Sequence, residues 1–303
     1  MADQPTSAER YRSARDARLS ELTGKPTYRR TLVLCAVPGA LVALVGIAVS
    51  PIILIAGVVL GVAGPIIYRA YLGSQASAAA KQVVMHQWAH EHGWEYLESP
   101  PLPDDVAFCR GRQNMEAADG FQGSMCGLPG LIFNFTYSTY ETRTRTVSDG
   151  QGGMRTETYT EEVKHRHTVL RIEVGAIPGI ESMQLADKGI GFLERLSEAF
   201  GPSRGVETES VEFNKRFSLT VDDAADQAAV LRVFTPAMIV RFVGDQFPQT
   251  TFQFERGALA YVWEDQYDVE DLEEIEQRVS SVTDLTGALH TAIAAIGPAS
   301  AGA

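Results

Sequence analysis

Residues 31–67 form a largely apolar stretch that contains no Asp, Glu, Lys or Arg. One straight helix over this stretch would be about 55 Å long, whereas the hydrocarbon core of a bilayer is about 30 Å thick. Ser50 and Pro51 lie near its midpoint, and a proline lacks the N–H that a helix uses and disfavours the helical conformation in the residue before it. The sequence therefore predicts a transmembrane helical hairpin with two short spans, Leu32–Val49 and Ile52–Ile67.

The second half of the stretch carries a GxxxG pattern at Gly57 and Gly61. Small residues let helix backbones approach closely in lipid, so the pattern fits either homodimerisation or packing of the two hairpin helices on each other. The second interpretation is favoured because a tight turn at Ser50 and Pro51 already makes the two helices neighbours. We predict that Ser50, Pro51, Gly57 and Gly61 shape the packing of the hairpin. The sequence leaves open whether the chain also forms a homo-oligomer.

The charged residues divide unevenly along the chain, whose formal net charge is −12. Residues 1–30 hold seven basic and four acidic side chains, whereas residues 68–303 hold nineteen and thirty-four. Basic residues flank both ends of the apolar stretch, so the positive-inside rule predicts a multi-pass protein with a cytoplasmic N-terminus and a cytoplasmic C-terminal domain. Because the C-terminal domain is acidic, it repels phosphate backbones, and no nucleic-acid partner is predicted.

An exported protein is the competing interpretation, since residues 28–34 resemble a twin-arginine signal. It is disfavoured because no small-residue cleavage site stands clear of the apolar stretch. A cytoplasmic domain would keep Cys109 and Cys126 as free thiols, whereas export would allow a bridge between them.

The chain divides by composition into five parts. After the basic segment 1–30 and the hairpin 31–67, we predict a helical stalk over 68–93, ended by Gly93. A soluble α+β domain follows over 94–296, and residues 297–303 form a flexible tail. The lipid bilayer and a protein partner are the predicted partners of this organisation.

The soluble domain is predicted to be a mostly antiparallel sheet packed with helices. Alternating residues from Leu131 to Glu141 and a returning strand over 156–174 indicate a long hairpin with a Gly-rich tip at 148–153. A helix is predicted at Met183–Phe200 and a strand at Phe213–Val221. A second hairpin at 252–263 and a helix at Val269–Ile296 complete the fold.

Three segments carry a resemblance to a known family: Val211–Asp223, Leu231–Pro236 and the hairpin Phe252–Trp263. They resemble a bacterial membrane-anchored family that is known as domain of unknown function 3137. The resemblance implies a bacterial inner-membrane protein with hydrophobic spans before a soluble domain. It implies no catalytic residues, because the family has no assigned activity.

Two histidine pairs are weak candidates for a metal site. His86 and His90 are four residues apart, hence on one face of a helix, but the Glu of an HExxH motif is missing between them. His165 and His167 share one face of a strand, and the cations beside them favour a solvated strand face instead. Neither pair has a third ligand in the sequence.

No catalytic constellation is found: the chain has no GxSxG, Walker or GxGxxG motif at a strand-to-helix junction, and no cofactor is predicted. The acidic run at 264–276 lacks the spacing of a calcium loop and fits the first turn of a helix. We therefore predict an integral membrane protein whose acidic domain is a protein-interaction or scaffolding module. The alternatives are a membrane-tethered, metal-dependent hydrolase and a sensor that recognises a ligand through the long hairpin.

Overall fold

A computed structural model describes residues 5–49, 51–148, 154–189, 202–244 and 250–296. Within these residues, seven helices and nine strands form the α+β fold that the sequence predicts. The chain divides into two compact units: Met1–Trp88 with Asp268–Leu272, and Ala89–Tyr267 with Glu273–Ala303.

The first unit contains helix α1 (Ser7–Gly24), helix α2 (Pro26–Val49) and most of helix α3 (Pro51–Glu91). A capping box begins α1: the Thr6 hydroxyl accepts a hydrogen bond from Glu9 N, and the Glu9 carboxylate accepts one from Thr6 N. The Ser7 hydroxyl donates to the carbonyl oxygen of Glu270 at 2.9 Å and accepts from Leu272 N at 3.2 Å. These bonds tie the start of α1 to the segment 268–272 of the same unit.

Helices α2 and α3 approach each other closely. A Cβ atom added to Gly61 would lie 3.7 Å from the backbone of Gly39, and one added to Gly64 would lie 3.1 Å from the carbonyl oxygen of Cys35. From Gly61 to Gly64 along α3, the contact on α2 moves back from Gly39 to Cys35. The two helices therefore pack antiparallel. Small residues at the crossing permit this approach.

Among the described residues, one segment, Pro26–Leu44, is long and apolar enough to cross a membrane. The predicted second span, Ile52–Ile67, lies within α3 and is not confirmed as a span. Pro51 is the first residue of α3 and Gly57 lies inside it, whereas Ser50 lies outside the described residues.

Helix α3 continues beyond the apolar stretch to Glu91, so most of the segment predicted as a stalk, residues 68–93, is helical. Leu72, Ala76, Ala80 and Val84 recur every four residues and are all buried, so one face of the helix is covered. Gly93 follows with a φ of 68°, a conformation that glycine adopts without strain and that commonly closes a helix.

The second unit is built on a nine-stranded sheet with the order β1-β2-β3-β4-β9-β8-β5-β7-β6. Every described strand pair is antiparallel. The strands are β1 Glu95–Leu97, β2 Gln113–Met125, β3 Leu128–Ser148, β4 Met154–Glu173, β5 Ser182–Asp187, β6 Ser203–Val206, β7 Phe217–Asp222, β8 Thr251–Glu255 and β9 Ala258–Trp263.

Four helices accompany the later strands: α4 Val211–Arg216 between β6 and β7, α5 Gln227–Val233 and α6 Pro236–Val243 between β7 and β8, and α7 Glu273–Ile296 after β9. We call the side of the sheet that they cover the helix face. There the Tyr261 hydroxyl of β9 lies 2.9 Å from the Thr286 hydroxyl of α7. The ring of Phe242 in α6 stacks on that of Phe252 in β8, with centroids 5.9 Å apart. Buried aromatic packing therefore holds the helices on the sheet.

The opposite side of the sheet, the strap face, is covered over β3, β4, β9 and β8 by residues 100–112, which we call the strap. Phe108 of the strap places its ring against Phe135 and Tyr137 of β3, at centroid distances of 5.6 and 5.9 Å. Its backbone N–H donates to the Gln253 side chain of β8 at 3.1 Å.

Two ion pairs hold the strap to the sheet, one near its middle and one near its C-terminal end. Asp105 pairs with Arg171 of β4, and Arg110 donates to both carboxylate oxygens of Glu255 in β8 at 2.7 and 2.5 Å. The side chains of Arg171 and Glu255 are 20% and 7% exposed, so these charge-assisted bonds are partly screened from water.

Two secondary-structure predictions are wrong in part. The predicted helix at Met183–Phe200 begins instead as strand β5, which pairs with β7 and β8; residues 190–200 lie outside the described residues. The predicted strand at Phe213–Val221 divides into helix α4 and strand β7. Ser210 favours a helix in the first part of this segment, because its hydroxyl accepts a hydrogen bond from Phe213 N and caps α4.

Candidate functional site: the ribbon and the ring cluster at its base

Strands β3 and β4 continue as a two-stranded ribbon, residues 139–148 paired with 154–163. Strand β2 begins at Gln113, opposite Ser138, and β9 ends at Trp263, opposite Thr168. Among the described residues, the ribbon therefore has no third strand. At about 3.4 Å per residue it extends roughly 30 Å beyond the sheet.

Three consecutive threonine pairs line one face of the ribbon. They are directly opposite one another in the register, and all six side chains are exposed: Thr142 with Thr160, Thr144 with Thr158, and Thr146 with Thr156. Directly opposed threonines stabilise an antiparallel pair and present an uncharged, β-branched surface. Tyr140, whose side chain is 54% exposed, lies on the same face nearer the sheet.

The other face of the ribbon is charged, and its charges are paired within the ribbon. Arg143 lies 3.2 Å from Glu141 and 3.1 Å from Glu161. Glu157 pairs with Arg145 at 3.1 Å and with Arg155 at 2.6 Å. Because these ion pairs are exposed to solvent, they add little to the stability of the strands.

At the base of the ribbon, the carboxylate of Glu162 accepts a hydrogen bond from the Ser138 hydroxyl at 2.5 Å and one from the Asn114 amide at 3.3 Å. The bond from Ser138 is the main reason that the pKa of Glu162 lies below its ordinary value. Glu162 therefore stays ionised where the ribbon leaves the sheet.

The ring of Tyr137 stacks on the imidazoles of His165 and His167, at centroid distances of 4.8 and 5.6 Å. The guanidinium of Arg112 lies 4.2 Å from the centroid of the Tyr137 ring. The ring of Phe108 is nearly perpendicular to that of His167, and the two centroids are 5.0 Å apart. These five side chains form a packed ring cluster under the strap, and no spacing in the sequence indicated the part played by Arg112.

His165 and His167 share a strand face, as the sequence predicts, but the predicted solvated face is wrong for His167, which is 5% exposed. One ring nitrogen of His165 shares a hydrogen bond with the Thr139 hydroxyl at 2.8 Å. His167 Nδ1 lies 3.2 Å from the carbonyl oxygen of Trp263. Both imidazoles are thus engaged with protein groups.

The other histidine pair lies on α3, where His86 and His90 are exposed. His92 follows the helix, and its Nε2 contacts the carboxylate of Glu276 in α7. Within the described part of the chain, no group of three or more His, Cys, Asp or Glu side chains could hold a metal ion. A third ligand is therefore found for neither histidine pair among these residues.

The acidic run at 264–276 is partly neutralised by Arg278, a buried side chain that is 6% exposed. Arg278 lies 2.8 Å from Asp265 and 2.5 Å from Glu274. The first turn of α7 contains Glu273, Glu274 and Glu276, in agreement with the prediction that the acids begin a helix.

The two cysteines of the second unit lie on opposite faces of the sheet and are free. Cys109 belongs to the strap and is buried on the strap face, whereas the Cys126 sulfur lies 3.3 Å from the Thr283 hydroxyl of α7 on the helix face. Burial raises the pKa of both thiols. The sheet separates them, so the bridge considered for an exported domain is not formed.

The ribbon thus presents exposed side chains and two strand edges among the described residues. No family model matches the chain, and no curated protein matches it. Among solved structures, the chain is similar to the crystal structure of the mycobacterial trehalose monomycolate transport factor A, TtfA. The TM-score is 0.38 and the identity 14%, over 67% of this chain and 93% of that chain. This level of similarity carries no conclusion about the chain.

Proposed function

We propose that this chain is a multi-pass protein of a bacterial inner membrane whose acidic, cytoplasmic α+β domain binds a partner protein and serves as an interaction or scaffolding module. Membership of the domain of unknown function 3137 family is part of the proposal. The membrane hairpin is supported by the apolar segment Pro26–Leu44 and by the close antiparallel packing of α2 on α3 at Gly39 and Gly61. Basic flanking residues support the cytoplasmic orientation.

The observation that carries the binding role is the ribbon at 139–148 and 154–163. A two-stranded ribbon is marginally stable by itself, and each edge presents unpaired backbone N–H and C=O groups. Its neighbours β2 and β9 stop at its base, so an added strand would continue the sheet where they end. The occupant is therefore an extended segment of a partner protein, bound by strand addition.

A shortened ribbon tests this role. Glu141 lies opposite Glu161, so replacing residues 142–160 by Asn-Gly closes the hairpin there with a turn that suits two antiparallel strands. The matched control removes only the tip: Val147 lies opposite Arg155, and Asn-Gly replaces residues 148–154. Proximity labelling in the native cell should recover the same partner with the wild type and the tip variant, and lose it with the short ribbon.

A photo-cross-linking amino acid at Thr144 identifies the contact directly. We expect one adduct of defined mass at Thr144 and none with the same amino acid at Asp284, an exposed position on α7. Labelling that is identical for all three ribbon lengths, together with no adduct at Thr144, would refute strand addition.

Protease protection in intact spheroplasts tests the orientation. External protease should leave the second unit intact under conditions that spare a known interior marker. Digestion of that unit while the marker survives would place it outside the cell and overturn the cytoplasmic assignment.

A further inference from the structure

A groove of about 530 Å³ lies on the strap face, between the strap and the end of the sheet where β2 turns into β3. Pro101, Leu102 and Pro103 of the strap form one wall. Pro129 and Leu131 of β3 lie on the opposite side. The groove is separate from the ribbon, which leaves the sheet at the other end of β3.

The charge inside the groove is negative. Arg171 is its one basic lining residue, and it is already occupied: its Nε donates to Asp105 at 2.7 Å and its Nη1 donates to Glu173 at 3.0 Å. Asp104 also lines the groove, and within the described part of the chain it has no hydrogen-bond or ion-pair partner. Three carboxylates and one guanidinium thus line the groove, and the carboxylates of Asp104 and Glu173 remain able to accept from a ligand.

The walls are apolar, and the side chain of Leu102, which lines the groove, is 37% exposed. An apolar wall beside free carboxylates matches the side chains of lysine and arginine, which lay a methylene stem along apolar surface and carry a charge at the tip. Phosphate-bearing ligands are repelled by the excess of carboxylates. The volume falls in the range of small-ligand pockets and exceeds one such side chain.

We propose that this groove binds a short basic segment of a partner protein, with an Arg or Lys side chain on the prolines and its cationic tip between Asp104 and Glu173. This inference names a second binding surface and does not depend on the ribbon. Charge complementarity favours a cationic occupant, because the groove offers carboxylate acceptors and its one basic lining residue is already paired.

The test measures binding of an acetylated, amidated peptide, Gly-Leu-Arg-Leu-Arg-Gly, to the full-length protein in an uncharged detergent by calorimetry. We expect saturable binding at low salt that weakens as salt is added. Asp104→Asn should weaken binding about fivefold, and Asp104→Asn with Glu173→Gln about tenfold or more. Because Asp104 has no partner to lose, the single variant keeps the ion pairs of Arg171.

Asp223→Asn with Asp284→Asn is the matched control, because it removes two exposed acids that do not line the groove. It should change the affinity less than twofold. The variant with the shortened ribbon should bind the peptide as the wild type does, so a failure of strand addition would not affect this result. Absent saturable binding, equal binding of the peptide with Glu in place of Arg, or an equal loss in the control variant would each overturn the proposal.

Discussion

Arg171 of β4 and Asp105 of the strap form a two-point ion pair, with Arg171 Nε donating to Asp105 Oδ1 at 2.7 Å and Nη2 donating to Oδ2. Both side chains are largely buried, at 20% and 17% exposure. The hydrogen bond from Arg171 to Asp105 is the main reason that the pKa of Arg171 is raised. One pair thus fixes the strap on the sheet and forms one boundary of the groove.

Asp105→Ala should lower the free energy of unfolding by about 2 kcal/mol, because it removes two hydrogen bonds to a charged group and leaves Arg171 with Glu173 alone. Urea unfolding of the full-length protein in detergent measures the change. Asp104→Ala is the control at the adjacent position, and it should stay within about 0.5 kcal/mol of the wild type. Equal effects of the two substitutions would contradict the anchoring role of Asp105.

Gly123→Ala should destabilise the sheet beside β1. A Cβ atom at Gly123 would lie 2.5 Å from Cδ1 of Trp94, whose indole N–H donates to the carbonyl oxygen of Ser124 at 3.1 Å. Displacing that ring should cost about 1–3 kcal/mol. A shifted tryptophan emission spectrum and a lower midpoint of urea unfolding are the expected results.

Gly205→Ala is the matched control for this substitution, since Gly205 is also in a strand and no atom lies within 4 Å of its added Cβ. Alanine there should leave stability unchanged or raise it by about 0.5 kcal/mol. If both variants lose the same stability, the steric explanation for Gly123 is wrong.

The sequence predicted the elements whose signals are local. Alternation from Leu131 onward indicated the long hairpin, and Gly93 indicated the end of the stalk. Local signals conflicted at Phe213 and Phe217, because a spacing of four fits both a strand face and a helix face. The cap at Ser210 resolves that conflict in favour of a helix.

The strap and the groove could not be predicted, because long-range pairs make them. Asp105 and Arg171 are 66 positions apart, and Arg110 and Glu255 are 145 apart. No spacing rule joins such residues. The face of the sheet that the strap covers depends on charges contributed by β4 and β8.

His167→Ala should lower the free energy of unfolding by about 2–3 kcal/mol, because it opens a cavity between the rings of Phe108 and Tyr137. His165→Ala should cost less, since that side chain is half-buried. His90→Ala is the control at an exposed helical position, where alanine is at least as favourable as histidine. Urea unfolding gives all three values.

Urea unfolding with and without a chelator distinguishes ring packing from metal binding. If packing explains the histidines of β4, a chelator leaves the stability of the wild type unchanged. A chelator that lowers stability to that of the His167→Ala variant would show instead that a metal ion is held there.

The thiol of Cys126 should react slowly near neutral pH. Burial raises its pKa above the ordinary value of 9.0, so less thiolate is present in the folded protein than in the unfolded protein at any pH below both values. In a Cys35→Ala, Cys109→Ala background, alkylation at pH 8 should be slower when the protein is folded than when it is unfolded in urea. The difference between the two alkylation rates should narrow as the pH rises above 9, where the thiol of the unfolded protein is already ionised.

Thr283→Ala tests the cause of that slow reaction. The hydrogen bond with Thr283 lowers the pKa of Cys126 against the larger effect of burial, so its removal should raise the pKa further and shift the pH profile of alkylation upward. Ser281→Ala, two residues away on α7, is the control, because the Ser281 hydroxyl donates to the carbonyl oxygen of Arg278 and not to the sulfur. A profile that moves downward with Thr283→Ala would mean that solvent access governs the reaction and the hydrogen bond does not.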